Sequence, residues 1–343
     1  MKNINFRNDF LSDYNFTIIG SGAFGTAVAN FLVSKNDNVI IYGIDEKEIS
    51  DIQNNHKNTK YFESIKLKAK LKATTDIKRA LQDADIILIA IPSHSFRDVL
   101  RKNILPNMKK PAYFVNLAKG LDYLEIKFLN QIIEEEIPQK MNLGVLKLSG
   151  PSFAKELVEE EPTKFVLACK DIEIANNLKK YFETEYTKIV TSNAIVGIEA
   201  LSVIKNSLAI LLGIVNGLGY GMNSRAYIFT ESLEEMKKIV KLYGFDENII
   251  FLPAGVGDLY LTGNSKKSRN FSVGYKIGKA NKVNKKILNS FVTIEGLRSI
   301  EIIFSLAIKK GIKLNLFNLL YNITYKNIRP SEVMDQFFKG IDK

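Results

Sequence analysis

The chain has 343 residues, 46% hydrophobic and 25% charged, which is the balance of an ordinary globular protein. That excludes a wholly disordered chain, a collagen-like repeat and a disulfide-stapled miniprotein, and it leaves room for two domains or three. Lys and Arg number 48 against 37 Asp and Glu, a net charge of +11; the excess is spread among Ile and Asn rather than gathered in a stripe, so it reads as compositional bias on a solvated surface and not as a nucleic-acid footprint.

Residues 1–15 carry Asp9 and Asp13 and no apolar segment, so they read as an N-terminal extension and not as a secretory signal. Phe16–Ile19 is a short β-rich run closed by glycines, and helical spacing follows from Thr26 to Val33. Further strands are expected at Asn38–Tyr42, Asp85–Ile91, Ala112–Asn116 and Gly144–Leu148. Helical patterns lie between most of them, for instance Asp76–Gln82 and Tyr123–Ile137. Strand–helix alternation of this kind predicts a parallel sheet with helices on both faces. Cys169, the single cysteine, ends the apolar run that starts at Phe165. It has no partner for an internal disulfide, fits a reducing cytoplasm, and reads as packed core rather than as a nucleophile. From about Ala194 the pattern turns almost wholly helical: Ala194–Leu218, Arg225–Tyr243, Asn284–Lys286 onward, and Gly296–Lys310. A boundary near residue 192 follows, dividing a dinucleotide-binding domain (16–192) from a helical substrate and catalytic domain (193–343). Ala194–Leu218 is the most membrane-like stretch, but Glu199, Lys205 and Asn206 inside it predict a buried helix and no stable membrane insertion.

Gly20-Ser-Gly22-Ala23-Phe24-Gly25 sits between the first strand and the first helix. There Gly20 makes the tight turn, Gly22 lets a pyrophosphate approach the backbone, and Gly25 lets helix and strand pack closely, with free N–H groups facing the anion. Asp45, twenty residues after Gly25, is placed either to hold a ribose 2′-hydroxyl, which favours NAD, or simply to cap the helix that follows. Lys47 offers a counter-charge for a 2′-phosphate, and the sequence leaves NAD and NADP both open.

Lys119 follows the fourth of these strands, at the end where open α/β sheets place their ligands. Leu148-Ser-Gly150-Pro151-Ser152 turns the chain beside the same crevice. Lys205 stands in an otherwise apolar helix; an ammonium without water is costly there, and burial lowers a lysine pKa toward general acid–base use. Asp258 and Thr262 are four apart, on one face of a helix. Ser268-Arg269-Asn270 offers hydroxyl, guanidinium and amide donors together, a phosphate cradle. Two distant histidines, His56 and His94, and one cysteine do not make a metal site; His94 falls in the loop after the third of these strands.

With Pro92-Ser-His-Ser, Lys119-Gly120, Ser149-Gly-Pro-Ser-Phe-Ala154, Ile204-Lys205-Asn206, Gly221-Met-Asn223, Gly257-Asp258-Leu, Ser268-Arg269-Asn270 and Glu295-Gly296 in this order, the chain resembles the bacterial type of NAD(P)-dependent glycerol-3-phosphate dehydrogenase over residues 16–330. The resemblance implies an N-terminal Rossmann-like doubly wound α/β sheet followed by an all-α C-terminal domain, usually paired as a cytoplasmic homodimer. It implies NAD(H) or NADP(H) as cofactor, and the interconversion of dihydroxyacetone phosphate and sn-glycerol 3-phosphate for glycerophospholipid synthesis. Lys205 would then be the proton donor and acceptor, supported by Asp258 and Thr262. The substrate would meet Lys119, Gly150, Ser152, Lys205, Asp258, Ser268, Arg269 and Asn270. The cofactor would meet Gly20, Gly22, Ala23, Phe24, Gly25, Asp45, Pro92, Lys119, Ala154, Arg269 and Glu295. Phe24 stands where relatives often carry Trp or Tyr, and Ile44 where they often carry Arg or His near the adenine ribose.

Overall fold

The computed structural model describes residues 14–63, 65–289 and 294–340; most of the expected extension 1–15 lies outside them. Among the described residues, ten strands run through the first part: β1 Phe16–Ile19, β2 Val39–Tyr42, β3 Lys72–Thr74, β4 Ile86–Ile89, β5 Ala112–Asn116, β6 Leu121–Asp122, β7 Lys127–Phe128, β8 Asn142–Ser149, β9 Thr163–Cys169 and β10 Thr187–Ser192. Eight form one sheet in the order β10-β9-β8-β5-β4-β1-β2-β3, and β6 and β7 make a separate hairpin. The sheet is parallel except where β8 meets β9. Its central strands β1 and β4 are continuous apolar runs because both faces are covered there. In β4, Ile86 and Leu88 join one apolar cluster with the helix Ala23–Leu32, while Ile87 and Ile89 join the other with the helices of the second half.

β1 pairs with β2 on one side and β4 on the other, with Phe16 opposite both Val39 and Ile86. The winding direction of the sheet reverses here, which is where an open α/β sheet leaves a crevice at its carboxyl edge. The short β3 and the outer strands β9 and β10 extend the sheet beyond the five strands expected. The expected helix Tyr123–Ile137 begins only at Leu129, and the hairpin β6–β7 replaces its first turns. The cause is tertiary. Arg97 pairs with Asp122 at 3.2 Å, Glu125 at 2.9 Å, Glu135 at 3.1 Å and Glu136 at 2.5 Å, and folds the turn back onto the helix that follows.

The second half is built on the helix Ile195–Gly217, hereafter the core helix. It is long and apolar enough to cross a membrane, but 94% of its most apolar stretch is buried within the protein. Helix Arg269–Ala280 lies against it at backbone contact. A Cβ on Gly274 would stand 2.0 Å from the Ile210 carbonyl oxygen, and one on Gly213 would stand 2.2 Å from that of Phe271. Helices Met222–Leu242, Asp258–Gly263, Glu295–Lys309 and Asn315–Thr324 complete the shell.

Candidate active site

The glycine loop opens at the carboxyl end of β1. Gly20 has φ +115°, and its N–H donates to the Tyr42 carbonyl at 2.8 Å; a Cβ there would meet the Ala90 carbonyl oxygen at 2.6 Å. A Cβ on Gly25 would meet the Gly20 carbonyl oxygen at 2.0 Å. Gly22 is different, since nothing lies within 4 Å of where its Cβ would be. The helix Ala23–Leu32 therefore starts on open space, with no side chain capping it. Asn58 braces the loop from below, donating to the Ser21 carbonyl at 3.0 Å and to Thr26 Oγ1 at 2.9 Å.

Two cavities flank this loop and share Gly22, Tyr61, Ala90, Ile91 and Pro92. The larger, about 710 Å³, is lined also by Ala23, Phe24, Lys119, Ser152, Phe153, Ala154, Asn206, Arg269, Asn270 and Glu295. The smaller, about 500 Å³, holds Gly20, Tyr42, Ile44, Asp45, Glu48 and Lys60. Asp45 caps the helix Glu46–Ser50, accepting from the N–H groups of Lys47 and Glu48, and its other oxygen lies 3.4 Å from Lys60 Nζ.

Behind the larger cavity stands a lysine–aspartate web. Lys205, on the core helix and 3% exposed, donates to Asp258 Oδ1 at 2.8 Å and to Thr262 Oγ1 at 2.7 Å. Lys119 donates to Asp258 Oδ2, also at 2.8 Å. One carboxylate thus joins two ammonium groups from residues 139 and 53 positions away. Burial opposes the ionisation of Asp258, but the two ammonium groups outweigh it and hold the carboxyl below its usual range. Burial pulls the Lys205 amine down to about 7, with Asp258 resisting and Lys119 assisting. Burial also raises the Glu295 carboxyl, against the pull of Arg269 and three lysines.

The remaining singled-out residues divide by place. Ser152 Oγ donates to the Gly150 carbonyl at 3.3 Å, and Gly150 itself serves the frame, since a Cβ there would meet the Lys164 carbonyl oxygen at 2.7 Å. Ser268 caps the helix Arg269–Ala280 through the Phe271 N–H. The buried Oδ1 of Asn270 has no hydrogen-bond partner among the described residues. His94 is exposed in the short turn Ser93–Ser95. Cys169 is buried at the end of β9, and burial pushes its thiol up to about 11. Sequence reasoning missed Tyr61 and Lys60, which lie on a segment without a recognisable pattern, and Glu48, which lies on the expected helix after Asp45 but was not singled out. It also missed the buried Lys147, although a lysine inside the apolar run Gly144–Leu148 was a visible signal, and it read Glu199 only as a sign of a buried helix.

Residues 15–175 match the N-terminal domain of NAD-dependent glycerol-3-phosphate dehydrogenase, and 194–335 match its C-terminal domain. A Mesoplasma florum protein named glycerol-3-phosphate dehydrogenase (NAD(P)+) is 36% identical over 333 residues, covering 96% of this chain and 99% of the relative. The chain belongs to the NAD-dependent glycerol-3-phosphate dehydrogenase family. A Staphylococcus epidermidis relative of the same name is 32% identical over 316 residues, 92% of this chain and 95% of that one. The crystal structure of glycerol-3-phosphate dehydrogenase from Coxiella burnetii superposes with a TM-score of 0.85 at 28% identity, covering 95% of this chain and 99% of that one. As a member of the family the chain is an NAD(P)-dependent oxidoreductase, with the Rossmann-like sheet and helical second half that the resemblance implied. The residues present suit such a cofactor. The open face of Gly22 and the uncapped helix start offer a seat for a pyrophosphate, and two adjoining cavities stand on either side of it.

Proposed function

We propose that the chain reversibly reduces dihydroxyacetone phosphate to sn-glycerol 3-phosphate in the larger cavity, with Lys205 as the acid and base. The nicotinamide cofactor, held by the residues around the glycine loop, would supply the hydride chemistry at the C2 carbon. The chain's own residues manage the proton and the charge. As the carbonyl oxygen turns toward an alkoxide, the Lys205 ammonium donates a proton to it. Asp258 orients that ammonium and keeps two adjacent cations from repelling each other apart, and Thr262 fixes its third direction. Arg269 and Asn270, beside the cavity, hold the phosphate, and Lys119 adds positive charge. Gly20, Gly22, Ala23, Phe24, Pro92, Ala154 and Glu295 form the cofactor seat, and Asp45 faces its ribose end.

The observation that carries this reading is the hydrogen-bonded Lys205–Asp258–Lys119 web, whose outer lysine lines the cavity while the inner one is only 3% exposed. A buried lysine with an amine at about 7 serves both directions near neutral pH. The test is oxidation of NADH and NADPH with dihydroxyacetone phosphate. Replacing Lys205 by Ala should cost about 10²–10⁴-fold in kcat, the usual worth of acid–base assistance, with cofactor affinity nearly unchanged. A near-parental kcat would refute the assignment. Reduction needs the protonated amine, so its kcat/KM should decline as pH rises through about 7; oxidation needs the neutral amine and should rise over the same range. The reading also includes a division near residue 192, a cytoplasmic homodimer and no stable membrane insertion; sedimentation of the purified chain tests the assembly.

A further inference from the structure

We propose that Lys147 is a positioning residue for this reaction, gripping the peptide of Ala118 from beneath so that Lys119 is held against Asp258. The inference rests on the dehydrogenase reading of the site. Lys147 lies toward the carboxyl end of β8 and is 0% exposed. A lysine there is expensive without partners. Its ammonium donates to the carbonyl oxygen of Ala118. The N–H of the same residue donates to Asn116 Oδ1 at 2.8 Å. Residue 118 is therefore held at both its N–H and its C=O. Ala118 also lines the larger cavity, and the next residue is Lys119.

The anchor continues inward. The Asn116 amide donates to Glu199 of the core helix, which is 2% exposed and also accepts from the Asn130 N–H at 3.2 Å. The core helix thus carries Lys205 at one position and, six residues earlier, the carboxylate that anchors the loop of Lys119. Gly120, at φ +133°, turns the chain away immediately afterwards. Burial lowers the Lys147 amine to about 8, and burial raises the Glu199 carboxyl to about 7; each pulls the other back toward its charged form. Lys119, Glu295 and Asp258 are the other charged groups that Lys147 feels. Its hydrogen bond nevertheless goes to the carbonyl and not to the carboxylate, which is the arrangement of a brace rather than of a simple ion pair.

The experiment compares the parent with the double variant Lys147→Met, Glu199→Gln, in which neither buried charge is left alone. The double variant should unfold at a temperature close to the parent's. Its kcat should fall about 10- to 100-fold, the scale of a misplacement on the order of 1 Å, while KM for NADH stays put. A folded double variant with parental kcat overturns the proposal and leaves Lys147 as a mere neutraliser of Glu199. Lys147→Met alone leaves the Glu199 bonds to Asn116 and Asn130 in place and should lose kcat to a similar degree with KM for NADH unchanged; parental kcat there overturns the proposal even if the double variant fails to fold. The parent's own oxidation of NADH with dihydroxyacetone phosphate is measured alongside; its failure would overturn the dehydrogenase reading, and this proposal with it, whereas a parental kcat in the folded double variant overturns this proposal alone.

Discussion

Asp45 had two readings in the sequence, and the residues around it now bear on cofactor choice. One carboxylate oxygen caps a helix and the other faces Lys60. Glu48, nearly buried, accepts from Ser21 Oγ at 2.7 Å and from the same lysine. Ile44, 87% exposed at the rim, offers no donor. The end of the crevice proposed for the ribose therefore sets two carboxylates against one ammonium that both already engage. A 2′-phosphate would bring roughly two further negative charges to this spot. NADH should accordingly bind more tightly than NADPH, and Asp45→Ser with Glu48→Gln should narrow the gap by freeing Lys60. Fluorescence titration of both cofactors measures it, and tighter binding of NADPH by the parent would sink the argument. Spacing alone could not separate cap from ribose ligand, because both uses need an acid at the same end of the second strand. Lys205, by contrast, was legible from its oily neighbours. That Lys119 and Lys205 share one aspartate was not, since the three residues meet only when the core helix docks on the sheet.

Elements were legible where local pattern and tertiary need agreed. β1 and β4 are short apolar runs buried on both faces, β2 and β5 are apolar runs with half-buried positions, and the core helix is apolar nearly all round. The hairpin β6–β7 was not, because its turn is held by Arg97 from a distant segment. Glycines on helices read as weak points, yet Gly213, Gly217, Gly274 and Gly278 are what let the core helix and Arg269–Ala280 touch backbone to backbone. The second helix begins with Arg269 and Asn270, so this approach sets how far the proposed phosphate cradle stands from Lys205. Gly274→Ala should cost about 1–3 kcal/mol or more, as overpacking does, because the methyl would face a carbonyl that cannot yield. It should also raise KM for dihydroxyacetone phosphate as the helix start shifts. Thermal unfolding and steady-state kinetics check both, and parental values in each would show that the two helices separate freely.

At the scale of the whole molecule, the two halves that composition and pattern distinguish share one apolar cluster, running from Ile87, Ile89 and Phe114 of the sheet through Ile204 and Leu208 to Phe317. Periodicity shows each half's strands and helices but not this common core, which depends on which helix faces the sheet. Global stability should then register a charge buried far from the cavity. Glu235, on helix Met222–Leu242 and 3% exposed, accepts from the N–H groups of Leu316 at 2.6 Å and Phe317 at 3.3 Å, capping a helix whose own N-cap, Leu314, has no side chain to do so. Burial raises its carboxyl to about 7 from 4.5, and those two N–H groups only partly offset the rise. Between these values the folded chain binds more protons than the unfolded one. The contribution is fully present below about 4.5 and is lost as pH rises through about 7. Glu235→Gln cannot ionise, so the difference in unfolding midpoint between the parent and this variant should shift steadily in the variant's favour across that window. A difference independent of pH would mean that Glu235 stays ionised throughout, and that the two backbone N–H groups, rather than burial, govern its charge.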